Sequence, residues 1–140
     1  MASTDRPALV RHVGDDLFVA ISASGHAIAI DTSHETAPSP MELLLMALGS
    51  CTAVDVAGIL KKKREQVSDY RIELRGERRQ VHPRSFNRIE VHHIVTGKSV
   101  SAKAVAQAVE LSETKYCSVA ATLRPTAEIV STFEIIEVTA

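Results

Sequence analysis

Tryptophan is absent from the sequence, and aromatic residues make up only 4% of its 140 residues. Such a chain has few rings to stack on nucleic-acid bases. A net charge of −1 also provides no excess of positive charge for phosphate contacts. The G-x-G-x-x-G, P-loop and G-x-S-x-G motifs are missing as well, which disfavours nucleotide cofactors and α/β-hydrolase chemistry. We therefore expect neither a nucleic-acid partner nor a cofactor.

Cysteine is scarce too, with Cys51 and Cys117 the two examples. Two cysteines are too few for a secreted disulfide framework, and no C-x-x-C pair suggests zinc or thioredoxin-type chemistry. The N-terminal segment of seven residues is short and polar, unlike a signal peptide. These features predict a cytoplasmic protein whose thiols stay reduced unless they take part in chemistry.

The six histidines show no H-x-x-x-H or H-E-x-x-H spacing. His92 and His93 are adjacent in a predicted strand, so their side chains point to opposite faces and cannot easily share a metal ion. We predict no metal site. His26 follows a turn and opens a predicted strand, where it could face a functional site, although a surface position is the commoner outcome for such a histidine.

Hydrophobic residues make up 45% of the chain and charged residues 24%, as in an ordinary globular protein. The length fits a single domain spanning residues 1–140. Residues 43–60 form a mostly apolar run, but the run includes Asp55 and is shorter than the roughly 20 strongly apolar residues of a spanning helix. The sequence therefore predicts a core helix, buried on nearly every side, and no membrane partner.

Turn signals and periodicity predict the order β-β-β-α-β-β-α-β. The central helix begins with a capping box, in which Ser39 is the N-cap, Pro40 the first helical residue and Glu42 the third. Ser101 caps the second helix, and a polar break precedes a short helix that starts at Cys117. The remaining predicted ranges are strands 9–13, 17–21, 26–31, 70–75, 89–95 and 126–138 (with an interruption at 131–132), and a central helix of residues 40–64.

This order indicates an α+β fold in which sheets wrap a central buried helix. Short strands from one chain cannot easily cover a helix that is apolar on all sides. We therefore predict a homodimer with an apolar interface of well over about 2,000 Å², the range of obligate dimers.

Cys51 lies in the middle of the central helix, where a buried, inert thiol is the ordinary interpretation. Cys117 lies at a helix start, a position that lowers thiol pKa values. Asp55 follows Cys51 by one turn, and an ionised carboxylate there would raise the thiol pKa, so we expect Asp55 to pair with an arginine or to cap backbone groups. Glu42 precedes Cys51 by nine residues, on the opposite side of the helix and about 13 Å away.

Two stretches carry a resemblance to a known family: residues 39–51, SPMELLLMALGSC, and residues 115–119, KYCSV. They resemble the osmotically inducible protein C and organic hydroperoxide resistance (OsmC/Ohr) family, whose element order matches essentially the whole chain. Residues 22–26 and 95–97 look more like the YhfA-like branch of that family. The resemblance implies an intertwined homodimer with active sites at the interface, to which the N-terminal strands, residues 8–31, contribute.

The resemblance also implies roles for individual residues. Cys51 corresponds to the peroxidatic thiol and Cys117 to the resolving thiol, with Glu42, His26 and Asp55 as candidate supporting groups. The implied substrate is an organic hydroperoxide and the implied reductant a dithiol, such as one of the lipoyl type. The family carries a glutamate directly after the helix-start proline, where this chain has Met41 followed by Glu42. An apolar substrate pocket would be lined by Met41, Leu44 and Leu48.

We therefore predict a thiol-dependent peroxidase that reduces organic hydroperoxides in oxidative-stress defence, through a Cys51 sulfenic acid and a Cys51–Cys117 disulfide. The alternative is a dimeric small-molecule-binding or redox-sensing protein of the same fold with little peroxidase turnover. A third hypothesis is a structural dimer with two buried thiols.

Overall fold

The computed structural model describes residues 5–139, and the predicted order of elements is confirmed there. The strands and helices are β1 (Leu9–Gly14), β2 (Leu17–Ile21), β3 (Ala27–Asp31), α1 (Pro40–Lys62), β4 (Gln66–Arg78), β5 (Phe86–Lys98), α2 (Ala102–Leu111), α3 (Ser118–Leu123) and β6 (Glu128–Glu137). A π-helical turn, Ser112–Tyr116, joins α2 to α3. The protein is therefore α+β, as the sequence predicts.

The chain divides into two compact units, one ending at Leu44 and the other beginning at Leu45. The first unit contains an antiparallel sheet in the order β1-β2-β3. At the end of β3, the Asp31 carboxylate accepts hydrogen bonds from the backbone N–H and the hydroxyl of both Ser33 and Thr36. These bonds hold the pKa of Asp31 well below its usual range and fix the loop that leads to α1.

The capping box at the start of α1 is confirmed. The Ser39 N–H donates to Oε1 of Glu42 at 2.9 Å, and the Glu42 N–H donates to the Ser39 hydroxyl oxygen at 3.3 Å. The first of these bonds is the main reason why the pKa of Glu42 is lowered, since it stabilises the charged carboxylate. The carboxylate therefore has a structural task at the helix start.

The second unit contains a three-stranded sheet in the order β4-β5-β6, with β4 antiparallel and β6 parallel to β5. The predicted interruption of the last strand is wrong, because Ser131 pairs with Val91 and Thr132 with His92, so β6 runs through. A core cluster joins α1, β5 and α2; its members are Val56, Leu60, Val95, Ala104, Val105, Ala108 and Val109.

Burial of α1 is incomplete within the single chain. Within the single chain, only five of its residues are buried, namely Leu48, Gly49, Thr52, Val56 and Leu60. Met46 is 55% exposed and Val54 is 73% exposed. The helix is long and apolar enough to cross a membrane, but core helices share that property, so this is weak evidence. The uncovered apolar side is compatible with the homodimer, which stays a prediction.

Candidate functional site

The two cysteine side chains come together in the second unit. Cys51 lies in the middle of α1 and is partly exposed, whereas Cys117 is the N-cap residue of α3 and is only 4% exposed. Both thiols are free, and the Cys51 side chain is near enough to Cys117 to contribute to raising the pKa of its thiol. Two residues far apart in the sequence therefore form one thiol pair.

Close packing of α1 against β4 fixes the part of the helix that carries Cys51. Gly49 lies two residues before the cysteine, and a Cβ atom at that position would be 2.6 Å from Cδ1 of Leu74. Real Cβ atoms do not approach carbon that closely, so only glycine allows this approach without a shift. On the same helix, Val56 and Leu60 anchor the turns after Cys51 in the core with α2.

Burial dominates the electrostatics of Cys117. It raises the pKa of that thiol to about 11, with the Cys51 side chain adding to the increase. The Ala120 N–H, which donates to the Cys117 sulfur at 3.4 Å, acts in the opposite direction but is outweighed. The expectation that a helix start lowers the pKa of Cys117 is therefore wrong in its net direction. Cys117 therefore keeps its proton at neutral pH.

A π-helical turn leads directly into Cys117, where the sequence predicted a polar break. The Cys117 N–H donates to the Ser112 carbonyl oxygen at 2.8 Å, which closes the wider turn. Such turns are rare and often occur at functional sites. The resolving thiol predicted by the family resemblance thus lies at the end of an unusual and well-bonded segment.

Ser112 also bonds to α1 through its side chain. Its hydroxyl donates to Oδ2 of Asp55 at 2.8 Å and lies 2.8 Å from the Thr52 hydroxyl oxygen. We call Thr52, Asp55 and Ser112 the Ser112 network. Asp55 is thus bonded to a hydroxyl group, and over residues 5–139 neither of the expected partners, an arginine or a backbone N–H, bonds to its carboxylate. Ser112 was missed as a functional candidate, although a serine on the apolar face of a helix was a usable signal.

A second buried polar pair lies on β4 and β5. The Tyr70 hydroxyl is 2.7 Å from Nδ1 of His93, and His93 is fully buried. Burial, followed by the charge of Asp55, raises the pKa of Tyr70 above its usual value. The predicted opposite orientations of the two adjacent histidines are confirmed, since His92 is partly exposed on the other face. The sequence signal for a buried His93 was the position of this residue among the alternating apolar residues of β5.

The other predicted site residues have the following surroundings. Glu42 takes part in the capping box, and His26 lies on an exposed turn with its Nδ1 3.0 Å from the Ser24 hydroxyl. Leu48 is buried in the core, whereas Leu44 is 37% exposed and Met41 is half-buried. Their roles in catalysis and in lining a substrate pocket stay predictions.

A groove of about 400 Å³ lies along α1, and neither Cys51 nor Cys117 is among its lining residues. Two of its residues, Val54 and Asp55, are about one turn beyond Cys51, and Tyr116 immediately precedes Cys117. The full lining is Val54, Asp55, Gly58, Ile59, Lys62, Leu111 and Tyr116. It contains apolar side chains with one carboxylate and one ammonium group, and it does not include Met41, Leu44 or Leu48.

A second groove, of about 430 Å³, lies on the outer face of the β4-β5-β6 sheet. Charged residues such as Arg75, Arg88 and Glu90 line it, and their exposed ion pairs are typical of a solvated sheet face. Over residues 5–139, no group of three or more His, Cys, Asp or Glu side chains is arranged to hold a metal ion. The thiol pair is therefore the best candidate for chemistry.

The α+β architecture with a cysteine on the central helix and another at a later helix start defines a recognisable class. A family model described as OsmC-like protein matches residues 33–132, and the chain belongs to this family. Among curated relatives, protein YhfA of Escherichia coli strain K12 is 47% identical over 130 residues, covering 92% of this chain and 97% of that protein.

Solved structures show the same fold. A hypothetical protein from Aquifex aeolicus VF5 is 36% identical, with a TM-score of 0.86, and the match covers 99% of this chain and 100% of that one. The organic hydroperoxide resistance protein OhrB of Bacillus subtilis is 16% identical with a TM-score of 0.63, covering 91% and 97% of the two chains. This second likeness concerns the fold alone.

Proposed function

We propose that the protein is a thiol-dependent peroxidase that reduces organic hydroperoxides, with Cys51 as the attacking thiol and Cys117 as the resolving thiol. The observation that carries the proposal is the unequal pair of adjacent thiols: Cys51 is partly exposed, whereas Cys117 is buried and holds its proton. A peroxide can approach the more exposed sulfur, and the buried one is placed to react next.

The proposed cycle is balanced as follows. The Cys51 thiolate attacks the terminal peroxide oxygen, the O–O bond breaks, and the alcohol leaves with one proton while sulfur becomes a sulfenic acid. The Cys117 thiol then attacks the Cys51 sulfur, a disulfide forms, and water leaves. A dithiol reductant, for which we propose one of the lipoyl type, exchanges with the disulfide and restores both thiols.

The groove along α1 supports an organic rather than an inorganic peroxide as substrate. Ile59 on α1 and Leu111 on α2 offer apolar surface in that groove. Hydrogen peroxide would gain little from that surface, whereas an alkyl group would gain from leaving water. We further propose that the enzyme works as a homodimer in the cytoplasm, where reductants keep both thiols available.

A single-turnover measurement with cumene hydroperoxide tests the proposal. Cys51→Ser should lose even the first turnover, because it removes the attacking sulfur. Cys117→Ser should consume about one equivalent and then stop or over-oxidise, because its sulfenic acid has no partner. Equal, near-background consumption by the wild type and both variants would overturn the peroxidase proposal.

One observation favours a slower, redox-sensing role as the second candidate. Over residues 5–139, no arginine of the same chain donates a hydrogen bond to Cys51, and Met41 stands where the family resemblance leads us to expect a glutamate. Under that alternative, the thiol pair would still form a disulfide with oxidants, but the wild type would show no repeated turnover with excess dithiol. The same assay, extended to many equivalents of peroxide, separates the two candidates.

A further inference from the structure

The Ser112 network is buried and links two elements that each carry a cysteine. Ser112 is fully buried and Thr52 is 6% exposed. Thr52 directly follows Cys51 on α1, and Asp55 follows it by one turn. On the other side, the Ser112 carbonyl oxygen accepts the Cys117 N–H at 2.8 Å. A single residue therefore bonds to the surroundings of both thiols.

General core packing does not explain this arrangement well. A buried hydroxyl and a partly buried carboxylate are costly unless every group finds a partner, and an apolar residue at position 112 would avoid that cost. The bonds also connect two specific elements. They tie Ser112, at the start of the π-helical turn, to the part of α1 that directly follows Cys51. A π-helical turn forms less readily than an α-helical one, so bonds to a neighbouring element help to hold it in place.

We propose that Ser112 is a positioning residue that holds Cys117 in place opposite Cys51 and so favours the disulfide between them. The inference rests on the proposed function, because it concerns the disulfide step of that cycle. Ser112 acts through the backbone of Cys117 and through α1, and its side chain takes no part in the chemistry. Holding the two sulfurs near their bonding geometry before reaction raises their effective concentration toward each other.

Redox equilibrium with glutathione measures that effective concentration directly. One glutathione disulfide oxidises the two protein thiols, giving the Cys51–Cys117 disulfide and two molecules of reduced glutathione. The equilibrium constant compares the disulfide with the dithiol form of the same variant. A residue that merely stabilises the fold would stabilise both forms equally and leave this constant unchanged.

Ser112→Ala should lower the equilibrium constant for disulfide formation by about tenfold, because the two sulfurs are then no longer held near their bonding geometry before reaction. Thr114→Val is the matched control, because the Thr114 hydroxyl lies in the same turn but donates to the Glu110 carbonyl oxygen on the exposed side. The control should match the wild type. Thr52→Val, which removes one bond of the network and keeps the side-chain shape, should show a smaller loss and serves if Ser112→Ala does not fold.

The outcomes separate the inference from the proposed function. If the wild type forms the disulfide and Ser112→Ala leaves the equilibrium constant unchanged, the positioning role is overturned and the peroxidase proposal stays intact. Thr52→Val takes the place of Ser112→Ala in this comparison if Ser112→Ala does not fold. A wild type that forms no Cys51–Cys117 disulfide in any glutathione buffer would overturn both. A tenfold loss in Thr114→Val as well would also overturn the inference, since the effect would then belong to the turn in general.

Discussion

The Tyr70 hydroxyl lies 2.7 Å from Nδ1 of His93, and the two side-chain rings are stacked at 2° with their centroids 6.0 Å apart. Tyr70 keeps its proton because its pKa is raised, so its hydroxyl donates and Nδ1 accepts. The imidazole proton then resides on Nε2, which is buried and has no partner over residues 5–139. Burial of the ring, which lowers the pKa of His93, keeps it in this neutral form.

Acid should destabilise the protein through His93. Burial, followed by the charge of His92, lowers the pKa of His93 from 6.5 to about 4. The unfolded state therefore binds the proton more readily, and stability present above pH 6.5 is lost as the pH falls toward 4, by at most about 3 kcal/mol. Urea unfolding of the wild type at a series of pH values, at fixed protein concentration, measures this loss.

His93→Gln separates this contribution from that of the carboxyl groups. Glutamine keeps an acceptor for Tyr70 but does not titrate, so the variant should lose about 2–3 kcal/mol less than the wild type between pH 7 and pH 4.5. His92→Gln, on the exposed face of the same strand, is the comparison and should change the dependence much less, because burial and not the charge of His92 is the main cause of the lowered His93 pKa. Identical pH dependence in wild type and His93→Gln would show that His93 is not held neutral.

Alkylation should distinguish the two thiols. In Cys51→Ser, the remaining Cys117 should react slowly with iodoacetamide and its rate should rise about tenfold per pH unit from pH 7 to 9, because only the thiolate reacts and burial holds its pKa high. In Cys117→Ser, the more exposed Cys51 should react faster at neutral pH. Guanidinium chloride should remove the difference. A plateau in the Cys117 rate below pH 9 would contradict the burial argument.

The sequence predicts the fold well because local signals and the hydrophobic pattern agree. The capping box at Ser39 and Glu42 and the alternation in β5 locate elements by backbone chemistry alone. The site is harder to predict, since Cys51 was expected to be the more buried thiol and Cys117 to have a lowered pKa. Both depend on how α1, α2 and α3 pack, which decides burial and outweighs the effect of a helix start.

The Ser112 network illustrates the same limit. Asp55 and Ser112 are distant in the sequence, so no local pattern indicates that the hydroxyl of one will meet the carboxylate of the other. Propensity favoured a polar break before Cys117, whereas packing extended the helix through a π-helical turn. Tertiary contacts of this kind override local preference and carry the functional geometry.

Two glycines of α1 should respond oppositely to alanine. Gly49→Ala should destabilise the protein by about 1 kcal/mol, because its Cβ would be 2.6 Å from Leu74 and either the side chain or the helix must move. Gly58→Ala meets nothing within 4 Å and should stabilise the helix by about 0.5–1 kcal/mol. Equilibrium urea unfolding measures both, and equal effects would contradict the close approach of α1 to β4.

The exposed side of α1 should determine the oligomeric state. Val54 is 73% exposed within one chain and lies on an apolar helix that is mostly uncovered. Burying it against a second copy would remove that surface from water, and an aspartate there would place an unpaired charge in the interface. We therefore expect the wild type to sediment as a dimer at micromolar concentration and Val54→Asp to shift to monomer.

Val81→Asp provides the matched control for that experiment. Val81 is 62% exposed, but it lies in the loop between β4 and β5 and not on the helix, so the same change of charge should leave the dimer intact. Loss of the dimer in both variants would indicate a general effect of added charge rather than an interface on α1. A folded wild-type monomer at high micromolar concentration would contradict the dimer itself, and with it the partner surface expected to complete the surroundings of Cys51.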